Sequence, residues 1–333
     1  MTSPLAVTLG DPAGIGPELI CAAWTARGSD NLQPFAVLGG ATILKDSAVR
    51  RGLDIAIRSV PDLAGAAKVF QEALPVIEGL DGEYRPGEPS PEGARIALQS
   101  LETGAALALS GAASGVVTGP IDKARMAEVG FAYPGQTEFF ADRSGVAADD
   151  AVMMLAGPQL RTVPITIHVA LAQVPGLLTA ELICHRARIV AQALRRDFGI
   201  ASPRLAVAAL NPHAGENGLM GSEEQQVIIP AIAALKAEGI EVSGPHAADS
   251  LFAPRARETY DAAIAMYHDQ ALIPLKALDF DAGVNVTLGL PIVRTSPDHG
   301  TAFGIAGSGA ADPGAMIAAI RMAGEIAARR AAA

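Results

Sequence analysis

Short, continuous apolar runs alternate along the chain with longer amphipathic segments. Continuous runs are typical of strands covered on both faces of a sheet, whereas strands with one wet face alternate apolar and polar residues. We therefore predict buried strands at Leu5–Leu9, Phe35–Leu38, Gly115–Val117, Ala151–Leu155, Thr162–Ile167, Arg204–Leu210 and Ala262–Met266. Apolar residues at helical spacing predict helices at Thr179–Phe198, Glu223–Glu238 and Ala315–Ala331. Strands that alternate with helices indicate an α/β fold.

The size and composition of the chain fit two folded domains. It has 333 residues, of which 50% are hydrophobic and 18% are charged, so a large core is expected and disorder is not. The segment Gly79–Pro91 is rich in glycine, proline and charge, and we predict a loop there.

Charge and cysteine content argue against several classes of protein. The formal net charge is −10 and no basic stripe offsets it, so nucleic acid and anionic membrane surfaces are not expected partners. An anionic small substrate would need a local pocket of lysine and arginine. Cys21 and Cys184 show no disulfide framework, and we recognise neither a signal peptide nor an apolar run long enough to cross a bilayer. We therefore expect a cytoplasmic protein.

Two glycine-rich motifs are candidates for ligand binding. "GDPAGIGPE" (10–18) follows the first predicted strand, but its glycines are spaced G-x-x-x-G-x-G rather than G-x-G-x-x-G. It is either a phosphate cradle of another kind or a tight turn from strand to helix. "DHGTAFGIAGSGAADPG" (298–314) forms an open loop before the last predicted helix. Such a loop allows a ligand to approach backbone N–H groups closely, and it equally fits a flexible connector.

Three histidines follow predicted strands at the point where each strand ends. His168 lies in "TIHVAL", His213 in "ALNPHAGE" and His268 in "AMYHDQ". Ligands of doubly wound sheets bind beyond the carboxyl ends of the strands, and neutral imidazole is a good ligand for zinc and related ions. The long separations carry no metal signature of their own. The pattern therefore leaves open both a shared metal site and separate structural roles.

Longer motifs carry a resemblance to a known family. The chain resembles the 4-hydroxythreonine-4-phosphate dehydrogenase (PdxA) family in "TGPIDKA" (118–124), "PGQTEFFAD" (134–142), "LNPHAGENGLMGSEE" (210–224), "YDAAIAMYHDQALIPLK" (260–276) and "GVNVTLGLPIVRTSPDHGTA" (283–302). The resemblance implies the fold of isocitrate and isopropylmalate dehydrogenases, with two α/β/α domains and a cleft between them. The expected domains are residues 1–128 with 280–333, carrying the cofactor loop, and residues 129–279, carrying metal ligands and dimer contacts.

The same resemblance implies an NAD- or NADP-dependent enzyme of vitamin B6 biosynthesis. The implied substrate, 4-phosphooxy-L-threonine, would be oxidised at C3 and decarboxylated to 3-amino-2-oxopropyl phosphate. One divalent metal ion per subunit (zinc, magnesium or cobalt) would act on the substrate hydroxyl as a Lewis acid. The family forms homodimers whose metal site uses both chains, so a homodimer is also expected.

The resemblance also assigns binding residues. The implied metal ligands are the strand-end histidines, His168, His213 and His268. The implied substrate contacts are Gln136, Thr137, Lys276, Asn285 and Arg294. The family usually has histidine at position 136; glutamine donates a hydrogen bond there but relays no proton. The cofactor is expected on the 299–312 loop, through His299, Gly300, Thr301, Gly307 and Asp312.

The general base is left open among three residues, Asp249, Lys123 and Asp269. Asp269 could instead orient the imidazole of His268. Residues 10–18 are then expected to form a strand–loop–helix turn at the cleft rather than the main dinucleotide cradle.

Other functions stay open. The same scaffold could oxidise a phosphothreonate or a dihydrodiol carboxylate, and Gln136 leaves room for that. A three-histidine zinc hydrolase would leave the 299–312 loop unexplained. A non-catalytic metal- or phosphate-binding protein would leave the TGP, GQTEFF and HGTA blocks unexplained.

Overall fold

The computed structural model of the chain describes residues 3–332, which form two compact units. The first unit comprises residues 3–148 and 290–332, and the second comprises residues 149–289. The sequence predicted the junctions after residues 128 and 279 instead. The first junction lies later because the "PGQTEFFAD" helix belongs to the first unit, where Arg143 forms an ion pair with Glu102 at 3.1 Å.

Residues 3–332 contain twelve strands. In chain order they are β1 Leu5–Thr8, β2 Phe35–Leu38, β3 Ile57–Val60, β4 Leu74–Ile77, β5 Val116–Thr118, β6 Val152–Ala156, β7 Arg161–Thr166, β8 Arg204–Ala208, β9 Glu241–His246, β10 Ala262–Tyr267, β11 Val284–Leu288 and β12 Arg294–Pro297. The seven predicted strands are confirmed to within two residues at each end.

Residues 3–332 also contain thirteen α-helices. They are α1 Gly16–Thr25, α2 Ala41–Arg51, α3 Leu63–Val69, α4 Pro91–Leu109, α5 Lys123–Glu128, α6 Gln136–Arg143, α7 Val174–Leu177, α8 Ala180–Arg196, α9 Ile229–Ala237, α10 Ala248–Leu251, α11 Pro254–Arg257, α12 His268–Asp279 and α13 Gly314–Ala332. Among these residues, no helix has the length and apolar composition needed to cross a bilayer.

The first unit is built on parallel strands in the order β3-β4-β2-β1-β5-β12. β1, at the centre of this order, is fully buried along its length, as the continuous apolar run predicted. Helix α4 begins where Ser90 accepts a hydrogen bond from the N–H of Gly93 at 3.1 Å, with Pro91 in the first turn. The predicted loop at Gly79–Pro91 is confirmed up to Ser90, where the cap of α4 begins the helix.

The second unit has the strand order β11-β6-β7-β10-β8-β9. β6 is antiparallel to both of its neighbours, and the remaining pairs are parallel. Helix α8 is capped by Thr179, whose side chain accepts from the N–H of Leu182 at 3.1 Å. Its predicted apolar face is confirmed, since it buries Ile183, Ala187, Val190 and Leu194.

Five strands were missed by the sequence prediction. β3 and β9 are edge strands whose side chains are half exposed, so their apolar runs are broken. Proline interrupts β4 and β9, and proline normally argues against a strand. β12 reads "RTSP" yet is fully buried, because its polar groups find partners: Thr295 donates to the carbonyl of Ala319 at 2.9 Å.

The substitution Gly289→Ala is expected to destabilise the second unit. Gly289 has a φ of +83°, and a Cβ there would overlap the carbonyl oxygen of Asp150. The left-handed backbone costs alanine about 1 kcal/mol, and relieving the overlap costs about 1–3 kcal/mol more. Gly239→Ala is the matched control, because Gly239 has a φ of +79° and no described atom within 4 Å of that Cβ. Thermal unfolding should give Gly289→Ala the lower Tm; equal Tm values would contradict this packing.

Candidate active site

The histidine-bearing segments start from one edge of the second unit's sheet. Strands β7, β10 and β8 are parallel neighbours, so their carboxyl ends reach the same edge. His168 follows β7, His213 follows β8, and His268 follows β10 as the first residue of α12. The prediction that these residues lie at the ends of strands is confirmed.

The imidazoles of His168 and His268 form a pair. Their ring centroids lie 5.7 Å apart and the ring planes are tilted by 42°. Asp269 Oδ1 lies 2.7 Å from His268 Nδ1. A carboxylate at Nδ1 fixes the orientation of an imidazole and favours the tautomer whose Nε2 can bind a metal. This contact is what the orienting role of Asp269 requires.

A cavity of about 260 Å³ opens beside this histidine pair. Besides the two histidines and Asp269, its walls come from Thr166, Val169, Leu171, Val174 and Tyr267. The walls are therefore mostly apolar, and the imidazoles and Asp269 supply most of the polar groups. Such a lining suits a small ligand whose polar end reaches the histidines.

His213 lies on a backbone segment of unusual handedness. Residues 213–217 all have a positive φ, between 42° and 73°. This region costs about 1–2 kcal/mol for each non-glycine residue. The buried carboxylate of Glu224 holds the backbone just before this segment by accepting hydrogen bonds from Leu210 N at 2.9 Å, Asn211 N at 2.8 Å and Asn211 Nδ2 at 3.0 Å.

The described part of one chain does not assemble the implied three-histidine site. Within residues 3–332, no group of three or more His, Cys, Asp or Glu side chains is placed so that it could hold a metal ion. The structure brings His168 and His268 together and does not add His213 to the pair. The metal site therefore stays a prediction that requires a further ligand.

In the first unit, Arg294 is a buried cation at the start of β12. The residue is 4% exposed, and its Nη2 donates to Thr118 Oγ1 at 2.8 Å and to Gln136 Oε1 at 3.0 Å. Both acceptors are neutral. Burial lowers the pKa of Arg294 to about 10, and the negative charge of Glu138 only partly opposes this shift. A guanidinium in this state favours a bound anion, such as a phosphate or a carboxylate.

Both polar atoms of the Gln136 side-chain amide are hydrogen-bonded. Because Arg294 can only donate and the carbonyl of Gly119 can only accept, Oε1 faces the guanidinium and Nε2 faces Gly119 O, at 3.0 Å. One N–H of the amide is left for another acceptor. Gln136 therefore aligns Arg294, in addition to any contact with a substrate.

Other predicted residues of the first unit lie close to Gln136, at the start of α6. Thr137 lies half-buried in the first turn of α6, directly after Gln136. Lys123 Nζ and Glu138 Oε2 both lie beside Gly135, at the start of the same helix. The first unit therefore gathers one buried and one exposed cation around the start of α6.

The remaining predicted substrate and base residues lie in the second unit. Lys276 is half-buried on α12. Asn285 lies on β11, and its Oδ1 is buried without a hydrogen-bond partner among the described residues. Such an acceptor costs about 1–3 kcal/mol and therefore suits a donor from a ligand. Asp249 is exposed on α10, which packs against the segment Pro212–Gly218 that carries His213.

The predicted cofactor loop, residues 299–312, combines anchored and open positions. Asp312 caps the start of α13 by accepting from Gly314 N at 2.7 Å, and Gly307, at a φ of +71°, packs on Pro86. At Gly300, in contrast, a Cβ would meet no described atom within 4 Å. His299 Nδ1 contacts Gly300 O at 3.0 Å, and its Nε2 is buried with no partner found in residues 3–332. The open glycine backbone and this nitrogen fit a polar ligand such as a dinucleotide.

Two residues that hold these sites had no role in the sequence prediction. Thr118 accepts from Arg294, and Glu224 accepts from the backbone just before the left-handed segment. Both lie inside the quoted motifs. Their roles depend on partners far away in the sequence or on backbone handedness, which a motif does not reveal. The only local signal for Glu224 was its place in a pair of acids that follows the small and polar residues "HAGENG".

Three known proteins that are similar to this chain are dehydrogenases. A relative from Erythrobacter litoralis, named 4-hydroxythreonine-4-phosphate dehydrogenase, is 64% identical over 98% of both chains. The crystal structure of 4-hydroxythreonine-4-phosphate dehydrogenase from Klebsiella pneumoniae is 40% identical, with a TM-score of 0.85 over 98% of each chain. That of a terephthalate 1,2-cis-dihydrodiol dehydrogenase from Burkholderia xenovorans is 29% identical, with a TM-score of 0.64 over 97% of this chain and 98% of the other. The chain thus belongs to a class of α/β dehydrogenases.

A family model narrows this class. The model of the pyridoxal phosphate biosynthetic protein PdxA matches residues 30–323. The chain belongs to the PdxA family. The resemblance found in the sequence motifs and the α/β fold class are both confirmed.

The substitution Gln136→Glu is expected to weaken anion binding at Arg294. The new carboxylate would pair with the guanidinium and neutralise the niche, so the affinity for inorganic phosphate should fall by about 10-fold or more. Gln136→Ala removes the same hydrogen bonds without adding charge and should cost less. Isothermal titration of the full chain with inorganic phosphate measures both. A Gln136→Glu protein that binds phosphate as tightly as the unsubstituted chain would contradict the assignment.

Proposed function

We propose that the chain is an NAD- or NADP-dependent, divalent-metal-dependent dehydrogenase. It oxidises 4-phosphooxy-L-threonine at C3, with decarboxylation to 3-amino-2-oxopropyl phosphate, in pyridoxal 5'-phosphate biosynthesis. The names of the relatives and the description of the PdxA family support this choice of substrate and pathway.

The observation that carries the proposal is the buried guanidinium of Arg294. The chain as a whole has a net charge of −10, so a phosphorylated substrate needs a local cation. Arg294 supplies it at a position where burial strengthens the attraction to an anion. Gln136 and Thr118 hold the guanidinium in place, which lowers the entropy cost of binding the phosphoryl group.

The proton of the substrate hydroxyl needs a base. Asp269 is engaged with His268 Nδ1, so we assign it an orienting role rather than that of the base. Lys123 lies beside the start of α6 in the same unit as Arg294. Asp249 lies on α10, next to the segment of His213. Lys123 and Asp249 remain the two candidates for the base.

The donor sets fit the cofactors that the family implies. Imidazoles suit zinc or cobalt better than magnesium, which prefers oxygen ligands. A metal ion held by the histidines would polarise the substrate hydroxyl as a Lewis acid. The open backbone at Gly300 and the buried Nε2 of His299 support a dinucleotide on the 299–312 loop, where a nicotinamide would supply the hydride acceptor.

A second copy of the chain is proposed to complete the metal site. Catalytic zinc sites use three protein ligands, and residues 3–332 of one chain bring only two imidazoles together. Leu171, near His168, is 65% exposed, and Leu219, directly after the His213 segment, is 83% exposed. Apolar side chains exposed beside both segments support burial against an identical chain.

A dihydrodiol carboxylate is the second candidate substrate. The terephthalate dihydrodiol dehydrogenase shares the fold over nearly the whole chain, and this chain has Gln136 where the motif resemblance implies a histidine. Arginine also binds carboxylates in two-pronged geometry, so Arg294 alone does not separate the two substrates. The higher identity to the phosphothreonine enzymes favours the first candidate.

Purified protein is expected to reduce NAD⁺ or NADP⁺ when 4-phosphooxy-L-threonine is added. A chelator should abolish turnover, and zinc or cobalt should restore it, because the substrate hydroxyl loses its Lewis acid when the metal is removed. The absorbance of the reduced cofactor measures the rate. A phosphothreonate and a dihydrodiol carboxylate serve as comparison substrates. Turnover that persists after complete removal of metal, or faster turnover of a comparison substrate, would contradict the proposal.

Histidine variants are expected to complement one another in hybrid dimers. His168→Ala, His213→Ala and His268→Ala should each abolish turnover alone. If the three imidazoles come from two chains, two of the three pairings of variants create one intact site per hybrid and recover up to about a quarter of full activity. The pairing that fails identifies the two histidines of one protomer. Native mass spectrometry verifies that hybrids form; hybrids without recovery in any pairing would contradict the shared site.

A further inference from the structure

Glu18 ends the "GDPAGIGPE" motif, to which the proposed reaction assigns no role. The motif leads from β1 into α1, with Pro17 and Glu18 in the first turn of the helix. Glu18 is 1% exposed. A carboxylate so deeply buried needs charged or hydrogen-bonding partners.

The partners of Glu18 lead to the 299–312 loop. Its Oε2 lies 3.2 Å from Nη1 of Arg51, the last residue of α2, and its Oε1 accepts from Gly307 N at 3.3 Å. Arg51 in turn donates from Nη2 to the carbonyl of Ala311 at 2.8 Å. The buried ion pair therefore holds the loop at two backbone positions.

Neighbouring residues add further anchors on the same side of the loop. Arg50 Nε donates to Gly307 O at 2.9 Å, and Ile15 N donates to Thr301 O at 2.9 Å. At Gly14, a Cβ would lie only 2.8 Å from Thr301 O, so only glycine allows this close approach. The opening motif and the loop thus form one packed element of the first unit.

Other positions of the loop are open. A Cβ at Gly300, Gly304 or Gly309 would meet no atom of the described residues within 4 Å. Glycine is therefore not required there by packing, and the backbone is accessible to a ligand. The loop has one anchored group of positions, at Thr301, Gly307 and Ala311, and one open group.

We propose that Glu18, together with Arg51, is a positioning residue for the dinucleotide cofactor. The ion pair holds the 299–312 loop in the conformation that receives the cofactor, while Glu18 itself, being buried, does not touch it. The inference rests on the proposed function of this loop. It also gives the glycine-rich opening motif a role: the motif supports the cofactor loop and does not itself bind the cofactor.

The test is cofactor binding by the Glu18→Gln variant of the full chain, without substrate. A fluorescence titration with NADH, and one with NADPH, should give a Kd about 10- to 100-fold higher than that of the unsubstituted chain. Hydrogen exchange at residues 301–311 should become faster. With substrate, KM for the cofactor should rise while kcat at saturating cofactor stays nearly unchanged. Glu72→Gln is the control, because it breaks an exposed ion pair with Arg58 in the same unit.

A second variant keeps the test decisive if Glu18→Gln does not fold. Arg50→Gln removes the bond to Gly307 O from an exposed side chain and should raise the cofactor Kd by about 2- to 10-fold. A folded Glu18→Gln or Arg50→Gln protein with a lower Tm but an unchanged Kd would overturn the inference. Failure of the unsubstituted chain to bind either dinucleotide would instead overturn the proposed function.

Discussion

The burial of the Arg294 guanidinium is the constraint on which the rest of the account depends. Arginine is rarely so deeply buried unless its charge is compensated, because removing the charge from water is costly. Here its Nη2 bonds to neutral oxygens of Thr118 and Gln136, and its pKa falls to about 10. We propose that the phosphoryl group of the substrate is the anion that this guanidinium binds. The fold thus fixes the guanidinium cation of Arg294 in the interior of an acidic protein.

Buried carboxylates serve a related purpose elsewhere in the chain. Glu224 accepts hydrogen bonds from the backbone just before residues 213–217, and Glu18 anchors the glycine-rich loop directly and through Arg51. Each acid bonds to backbone groups in or just before a segment that carries a predicted ligand-binding residue, and Glu18 also pairs with the side chain of Arg51. These buried acids therefore anchor the backbone next to the His213 segment and the backbone of the 299–312 loop. Their removal should affect binding sites before it affects the hydrophobic core.

The sequence predicted those features that follow from local pattern. The buried parallel strands, helix α8 and the positions of three histidines at strand ends could be found because apolar periodicity is local. β12 could not, since the burial of its polar residues depends on partners such as Ala319. The position of the first junction after residue 148 depends on contacts of α6 such as that between Arg143 and Glu102, which have no local signal. The resemblance of the motifs identified Gln136 and Arg294 as binding residues. Their mutual hydrogen bond could be found only from the structure, because the two residues lie far apart in the sequence.

The most direct test of the central claim compares two substrates in two proteins. The ratio of kcat/KM for 4-phosphooxy-L-threonine to that for 4-hydroxythreonine is measured in the unsubstituted chain and in Arg294→Gln. If Arg294 binds the phosphoryl group, the substitution lowers kcat/KM for the phosphorylated substrate by about 100-fold or more and leaves the other nearly unchanged. An equal loss for both substrates would show that Arg294 only stabilises the fold, and would contradict the account.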